Sequence, residues 1–211
     1  MFTGLVQAVG VVRSVEVSAG GLRVVVDPAG WAHVPAQGDS ICVSGCCLTV
    51  AGVDGGAWAF DVVPETLGKT TIGGLAVGTR VNLEHSVTAA TLLGGHFVQG
   101  HVDGVAVVER VERGGEAGWR VWLRVGPELM KYMTSTGSVC LDGVSLTLAS
   151  VAREAGAGGL ICVALIPTTL ERTTLSAWRK GDKVNVEADV IAKTVVGYME
   201  VAEWQSDTVA E

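Results

Sequence analysis

The chain has 211 residues, of which 48% are hydrophobic and only 18% charged, so it carries ample apolar material for a packed core and is long enough for one large domain or two small ones. Its net charge is −7, with 4 basic and 7 acidic residues before Gly95 and 11 and 15 after it, which leaves no basic stripe to bind nucleic acid or an anionic membrane surface. No apolar stretch approaches the roughly 20 residues that span a bilayer, and the start MFTGLVQAVG lacks the pattern of a secretory signal, so a cytoplasmic chain with reduced cysteines is expected.

Along the chain, 29 glycines separate short apolar runs, as in many tight turns joining strands. Leu22–Asp27 alternates and reads as a strand with one face inward, closed by Pro28. Ser40–Val50, SICVSGCCLTV, crowds Cys42, Cys46 and Cys47 together without the C-x-x-C spacing of a zinc or redox site. Here Cys47 and Thr49 share one face. On a barrel's inner rim, such short polar side chains can hydrogen-bond a heterocycle; they are equally ordinary strand filling.

The stretch Gly94–Gly104 holds His96 and His101, whose five-residue spacing puts them on opposite sides of an extended strand and argues against a shared metal. A histidine there is either structural or able to exchange protons. Trp119–Arg124 reads as another alternating strand, and Pro127–Met133 as a short helix, since proline fits the first turn and glutamate its positive end. Ser138–Leu148 then repeats Ser40–Val50 with five identities in eleven positions, and 167–190 repeats 64–87 with ten in 24. Residues 98–108 match 2–12 more weakly. This is a tandem duplication with domains at 1–95 and 96–190, meeting near Gly94–His96. The remaining segment, 191–211, carries Ile191, Val195, Tyr198, Met199 and Ala202 at helical spacing, a stripe suited to core packing or to self-association.

Many short strands with a few small helices point to an all-β protein made of closed Greek-key barrels. No phosphate loop, dinucleotide fingerprint, zinc spacing or hydrolase elbow appears. The polar Ser/Cys-Leu-Thr strand in each copy, Cys47–Thr49 and Ser145–Thr147, is then the chief candidate for chemistry. Asp189, at the end of the last strand, reads as a solvated carboxylate or a cap.

MFTGLV, SGCCLTV, GGHFVQGHVDG, LDGVSLTL and IPTTLERTT, in this order and spacing, resemble the lumazine-binding repeats of the riboflavin synthase family. The resemblance implies two duplicated six-stranded Greek-key barrels, each binding one 6,7-dimethyl-8-ribityllumazine, and a C-terminal helix that joins three chains into a homotrimer. It implies a dismutation that moves a four-carbon unit between two lumazines, with no cofactor and no metal. It assigns Gly4, Leu5, Val6, Ser40, Cys47, Leu48, Thr49, Asp61, Val62, Val63, Pro64, Glu65 and Thr66 to the first barrel's pocket. The second receives Gly100, His101, Val102, Ser145, Leu146, Thr147, Ile166, Pro167, Thr168 and Thr169. Phe2 and His101 are expected near the reaction, with Ser40, Cys47, Ser145, Thr147 and Asp189 as polar groups that relay protons or hold water. Thr136 stands where many relatives have lysine, a departure that leaves ligand contact at this position open. A lumazine synthase is a further partner that the resemblance raises. The alternative is a lumazine-carrying antenna protein of the same fold; intact Ser/Cys-Leu-Thr strands in both copies, together with His101, favour the enzyme. A flavin-dependent reductase would need a nucleotide-binding domain that the chain lacks.

Overall fold

A computed structural model describes residues 1–114, 118–154, 156 and 158–209. Strands β1 (Ala8–Ser18), β2 (Gly21–Asp27), β3 (Ser40–Val43), β4 (Cys46–Asp54), β5 (Ala57–Val62) and β6 (Arg80–His85) close one antiparallel barrel in the order β1-β2-β5-β4-β3-β6. The second copy, β7 (Gly104–Glu112), β8 (Trp119–Val125), β9 (Ser138–Leu141), β10 (Val144–Glu154), β11 (Gly158–Leu165) and β12 (Lys183–Ala188), closes in the same order, β7-β8-β11-β10-β9-β12. Register shifts at Val12/Ser14 and Val50/Gly52 recur at Val108/Arg110 and Leu148/Ser150, so the bulges that bend the sheet into closure are duplicated too.

Helices α1 (Pro64–Lys69) and α3 (Pro167–Arg172) occupy equivalent places, each opened by proline, while α2 (Pro127–Met130) has no counterpart in the first copy. The helix expected to reach Met133 ends at Met130. Tyr132 and Met133 then make tighter bonds to the carbonyls of Leu129 and Met130, and this turn carries Met133 into the core. Helix α4 (Val190–Val209) follows the second barrel, with Ile191, Val195, Tyr198 and Met199 between 53% and 76% exposed; the stripe is therefore not core packing within this chain. Among the described residues no helix is long and apolar enough to cross a membrane.

Alternation decides which side chains fill each barrel. Val24, Val26, Leu48, Val50 and Phe60 meet in the first, and Val121, Leu123, Leu146, Leu148 and Ile161 in the second. Since Leu48 and Leu146 point inward, Cys47, Thr49, Ser145 and Thr147 point out. The expected inner rim is thus corrected: the polar faces lie on the outside of the barrels, and the two leucines lie in the cores.

The barrels are joined through residues 86–103, which include Gly94–His96, and they clamp each other reciprocally. Asn82 donates to the Asp142 carbonyl and accepts from the Thr174 amide, both at 2.8 Å; its counterpart Asn185 donates to the Ser44 carbonyl at 2.8 Å and accepts from the Thr71 amide at 2.7 Å. One pair of positions breaks this symmetry. Ser44 accepts a single bond, from the Asn82 amide, whereas Asp142 accepts from the Asn185 amide and from the Trp178 indole, a side chain that replaces Leu75. The second oxygen satisfies a buried N–H that the first copy does not have.

Burial pushes the Asp142 carboxyl up to about 7, with its hydrogen bonds opposing the rise. A carboxyl that holds its proton more tightly when folded stabilises the fold most below its unfolded pKa, and that contribution is lost as pH climbs through the folded one. Asp142→Ser with Trp178→Leu, which copies the first half, should remove this dependence. Relative to the variant, the native chain is expected to lose up to about 4 kcal/mol between pH 4 and 7. Urea denaturation across that range tests it; a gap that stays constant with pH would refute the assignment.

Two candidate active clefts

Each outward-facing polar strand is met by a lead-in segment from the other half of the chain. At the first barrel the Cys47 amide donates to the Gly100 carbonyl at 2.8 Å, and Val102 packs on that barrel's core. Gly100 has φ +77°, and a Cβ on it would lie 2.6 Å from Cys47 Cβ, so only glycine permits the approach. The resulting cleft, about 250 Å³, is lined by Cys46, Cys47, Glu65, Thr66, Lys69, Thr70, Gly100, His101 and Val102.

At the second barrel the arrangement repeats with the halves exchanged. Ser145 donates through its amide to the Gly4 carbonyl at 2.8 Å, Gly4 has φ +75°, and Val6 packs on the second core. Leu5 and Val6 line an outer cleft of about 390 Å³ together with Arg172 of α3 and Thr91 and Leu92 of the connecting segment. This corrects the expected allotment: Gly4, Leu5 and Val6 stand beside Ser145, and Gly100, His101 and Val102 beside Cys47. Each segment leads into its own barrel only after touching the other.

Two buried glutamates hold the crossing segments. Glu84 on β6 accepts from the Thr3 amide and hydroxyl, both at 2.7 Å, and from the Gly4 amide at 3.0 Å. Glu187 on β12 accepts from the amides of Gln99, Gly100 and His101 at 2.6, 2.8 and 3.0 Å. Burial raises both carboxyls above the ordinary range, while these donors pull them back. Sequence reasoning passed over this pair, although the signal was present: both copies place a glutamate at the same point of an otherwise apolar alternation, VNLE and VNVE.

Other expected site residues take varied places. Phe2 is completely buried between the barrels with Cys42, Val98 and Cys140, and its main chain bridges Val98. Its ring thereby anchors the crossing segment between the two barrels. Ser40 pairs with Thr49 across β3 and β4, Val62 is in the core, and Asp61 forms an exposed ion pair with Arg23. Val63 and Ile166 are exposed caps of α1 and α3, followed by Pro64 and Pro167. The carbonyls of Thr66 and Thr169 accept from the hydroxyls of Thr70 and Thr173, so they secure the helix ends; Thr168, like Glu65, is exposed.

Asp189 caps α4, its carboxylate accepting from the Ile191 amide at 2.8 Å. Thr136, with φ +65°, bonds to the neighbouring Ser135 carbonyl and belongs to a turn. The two histidines of the connecting segment diverge: His101 lines the first cleft, whereas His96 is buried with Nδ1 2.7 Å from the hydroxyl of Ser145. Among the described residues no three metal-binding side chains come together.

The Lumazine binding domain family matches residues 3–86 and again 99–189, one match per barrel. Over 202 residues the chain is 35% identical to the riboflavin synthase of Bacillus subtilis (strain 168), covering 96% of this chain and 91% of that one. Identity is 39% over 204 residues with the riboflavin synthase of Mycobacterium tuberculosis (strain ATCC 25618 / H37Rv), covering 96% and 100%, and 36% over 213 residues with that of Schizosaccharomyces pombe, covering both in full. Among solved structures, LumP complexed with 6,7-dimethyl-8-(1'-D-ribityl) lumazine superposes with a TM-score of 0.77 at 26% identity, covering 89% of this chain and 99% of LumP. LumP complexed with riboflavin gives 0.75 at 28%, with the same coverage.

Proposed function

Since the chain belongs to the riboflavin synthase family and carries its lumazine-binding domain twice, we propose that it converts two molecules of 6,7-dimethyl-8-ribityllumazine into riboflavin and 5-amino-6-(D-ribitylamino)uracil. The observation that carries this reading is the repeated crossing, in which a glycine segment from each half of the chain bonds to the Cys/Ser-Leu-Thr strand of the other half's barrel, beside a cleft that a proline-opened helix helps to line. A reaction between two copies of one substrate calls for two copies of one site.

The two products together contain all atoms of the two substrates, so a dismutation needs no outside oxidant or reductant. Its difficulty lies in holding two large heterocycles in register, and fixing both reactants can remove about 7–11 kcal/mol from the barrier. The outward-facing polar strand of each barrel carries side chains that can hydrogen-bond a ligand, and the crossing segment beside it limits how far the ring can shift. His101, Cys47, Thr49, Ser145 and Thr147 are the side chains that we assign to ligand contact or proton transfer. The LumP complexes support lumazine and riboflavin as ligands of this architecture. Greater identity to the synthases, with both polar strands intact, favours turnover over binding alone. Incubation of the purified chain with ribityllumazine should yield riboflavin absorbance without any added nucleotide or metal; lumazine binding without riboflavin would sink the enzymatic reading.

We further propose a homotrimer, supported by the exposed apolar stripe of α4. Deleting the chain from Lys193 onward should leave both barrels folded, monomeric by sedimentation, and at least about tenfold less active if the two lumazines meet between neighbouring chains. A truncated chain that remained trimeric would refute the role of the helix.

A further inference from the structure

The two copies differ where the second barrel gives way to α4. In the first copy Gln7, and in the second Asp103, ties its lead-in segment to the last strand of the barrel. The Gln7 amide donates to the Leu83 carbonyl at 2.9 Å and the Asp103 amide to that of Val186 at 2.8 Å, while their side-chain oxygens accept from the amides of His85 at 2.9 Å and Ala188 at 2.8 Å. A neutral amide is enough for that task. The carboxylate of Asp103 does more, because its two oxygens also accept from Lys193 Nζ of α4 at 3.0 and 2.9 Å. Among the described residues this is the most enclosed ion pair, its side chains 23% and 21% exposed, so water screens it less than the others.

Local preference does not explain Lys193, which stands at the start of α4, the positive end of the helix, where a cation is disfavoured. Its charge also reaches Glu187, where it opposes the rise that burial causes in that carboxyl. Glu187 in turn holds the amides of Gln99, Gly100 and His101, so one ammonium acts on both ends of the segment whose Gly100, His101 and Val102 line the first cleft. Seven residues on, Glu200 accepts from Lys131 Nζ at 2.7 Å, a second tie to the second barrel. At about 100° per residue Lys193 and Glu200 lie along one line of the helix, and Ile191, Val195, Tyr198, Met199 and Ala202 centre on the opposite line. Val196, on the tied side, is half-buried, whereas the stripe is exposed. The two ion pairs therefore decide which face of α4 meets its own barrel and which is turned outward.

We propose that Asp103 is a positioning residue that seats α4 on the wall of the first cleft, so that ligand binding in this cleft and association of chains through α4 strengthen each other. The inference rests on the homotrimer proposed above. A ligand against His101 and Val102 holds the segment that carries Asp103, and through it the start of the helix. A helix already held loses less freedom when neighbouring chains pack on its stripe. Linkage makes the effect reciprocal, so association must tighten ligand binding by the same factor.

Sedimentation equilibrium of the full chain, with and without saturating riboflavin and at dilutions where the native protein partly dissociates, tests this. Riboflavin should strengthen native self-association about fivefold or more. Asp103→Asn keeps an oxygen for the Ala188 amide, as Gln7 does for His85, but loses the charge. It should weaken association about tenfold, since a trimer holds three such pairs each worth about twofold, and it should abolish the response to riboflavin. Lys193→Met makes the same break from the helix side and replaces the asparagine variant if melting curves show that one unfolded, whereas Lys193→Arg should behave as native. Native association that riboflavin leaves unchanged, or strengthens equally in Asp103→Asn and Lys193→Met, would overturn the proposal. A native chain that is monomeric at every concentration would instead overturn the homotrimer on which it rests.

Discussion

Gly100→Ala is expected to reduce riboflavin formation by about 100-fold or more, because misplacing reacting groups by about 1 Å has an effect of that size. The added methyl would stand 2.6 Å from Cys47 Cβ and 2.8 Å from its amide nitrogen, so the bond from that amide to the Gly100 carbonyl cannot survive unchanged. His101, next along the segment, would be displaced from the cleft with it. A control isolates the clash from the left-handed backbone: Gly38 has φ +95° with open space around it, and Gly38→Ala should weaken the fold by only about 1 kcal/mol without affecting turnover. Steady-state rates for both variants decide the matter. Near-native turnover by Gly100→Ala would mean that the crossing segment does not form part of the site.

Glu187→Ala is expected to be the most destabilising single change in the second barrel. It removes the acceptor of three consecutive amides that have no other partner, in a position 2% exposed, and a loss of about 3–5 kcal/mol follows from orphaning donors held by a charged group. The damage should appear at a distance, since the released segment lines the first cleft. Urea denaturation should show a lower midpoint, and titration with lumazine should show weakened binding at the first cleft. Glu187→Gln retains one acceptor oxygen and should lie between the two. An alanine variant as stable as the native chain would show that water replaces the carboxylate fully.

Much of this was legible in the sequence, for specific reasons. Side chains alternate in both copies with the strand period, so Cys47 with Thr49, and Ser145 with Thr147, declared themselves as one shared face. Alternation separates two faces; it does not say which is inside when the polar face itself is mixed, and the polar strands were therefore placed on the wrong side of the barrel. The duplication gave equivalent positions but not their partners. Nothing local in GLV or GHV reveals that each precedes its own barrel in sequence while packing on the other, because that outcome depends on contacts across about a hundred residues, such as Gly4 with Ser145. The anchoring of Phe2 between the two barrels was hidden for the same reason: an aromatic side chain near a site looks alike in sequence whether it meets a ligand or joins two barrels.

The crossing of the lead-in segments also bears on how such a chain can change by descent. Neither half owns a complete pocket, so recombination in the linker would pair a foreign Gly4 segment with a resident Ser145 strand and, in the same event, a foreign Cys47 strand with a resident Gly100 segment. Both pockets of the hybrid would be of mixed parentage, and neither parental pocket would be inherited whole. A substitution in either lead-in segment is therefore felt at its sibling's barrel, where Gly4 meets Ser145 and Gly100 meets Cys47.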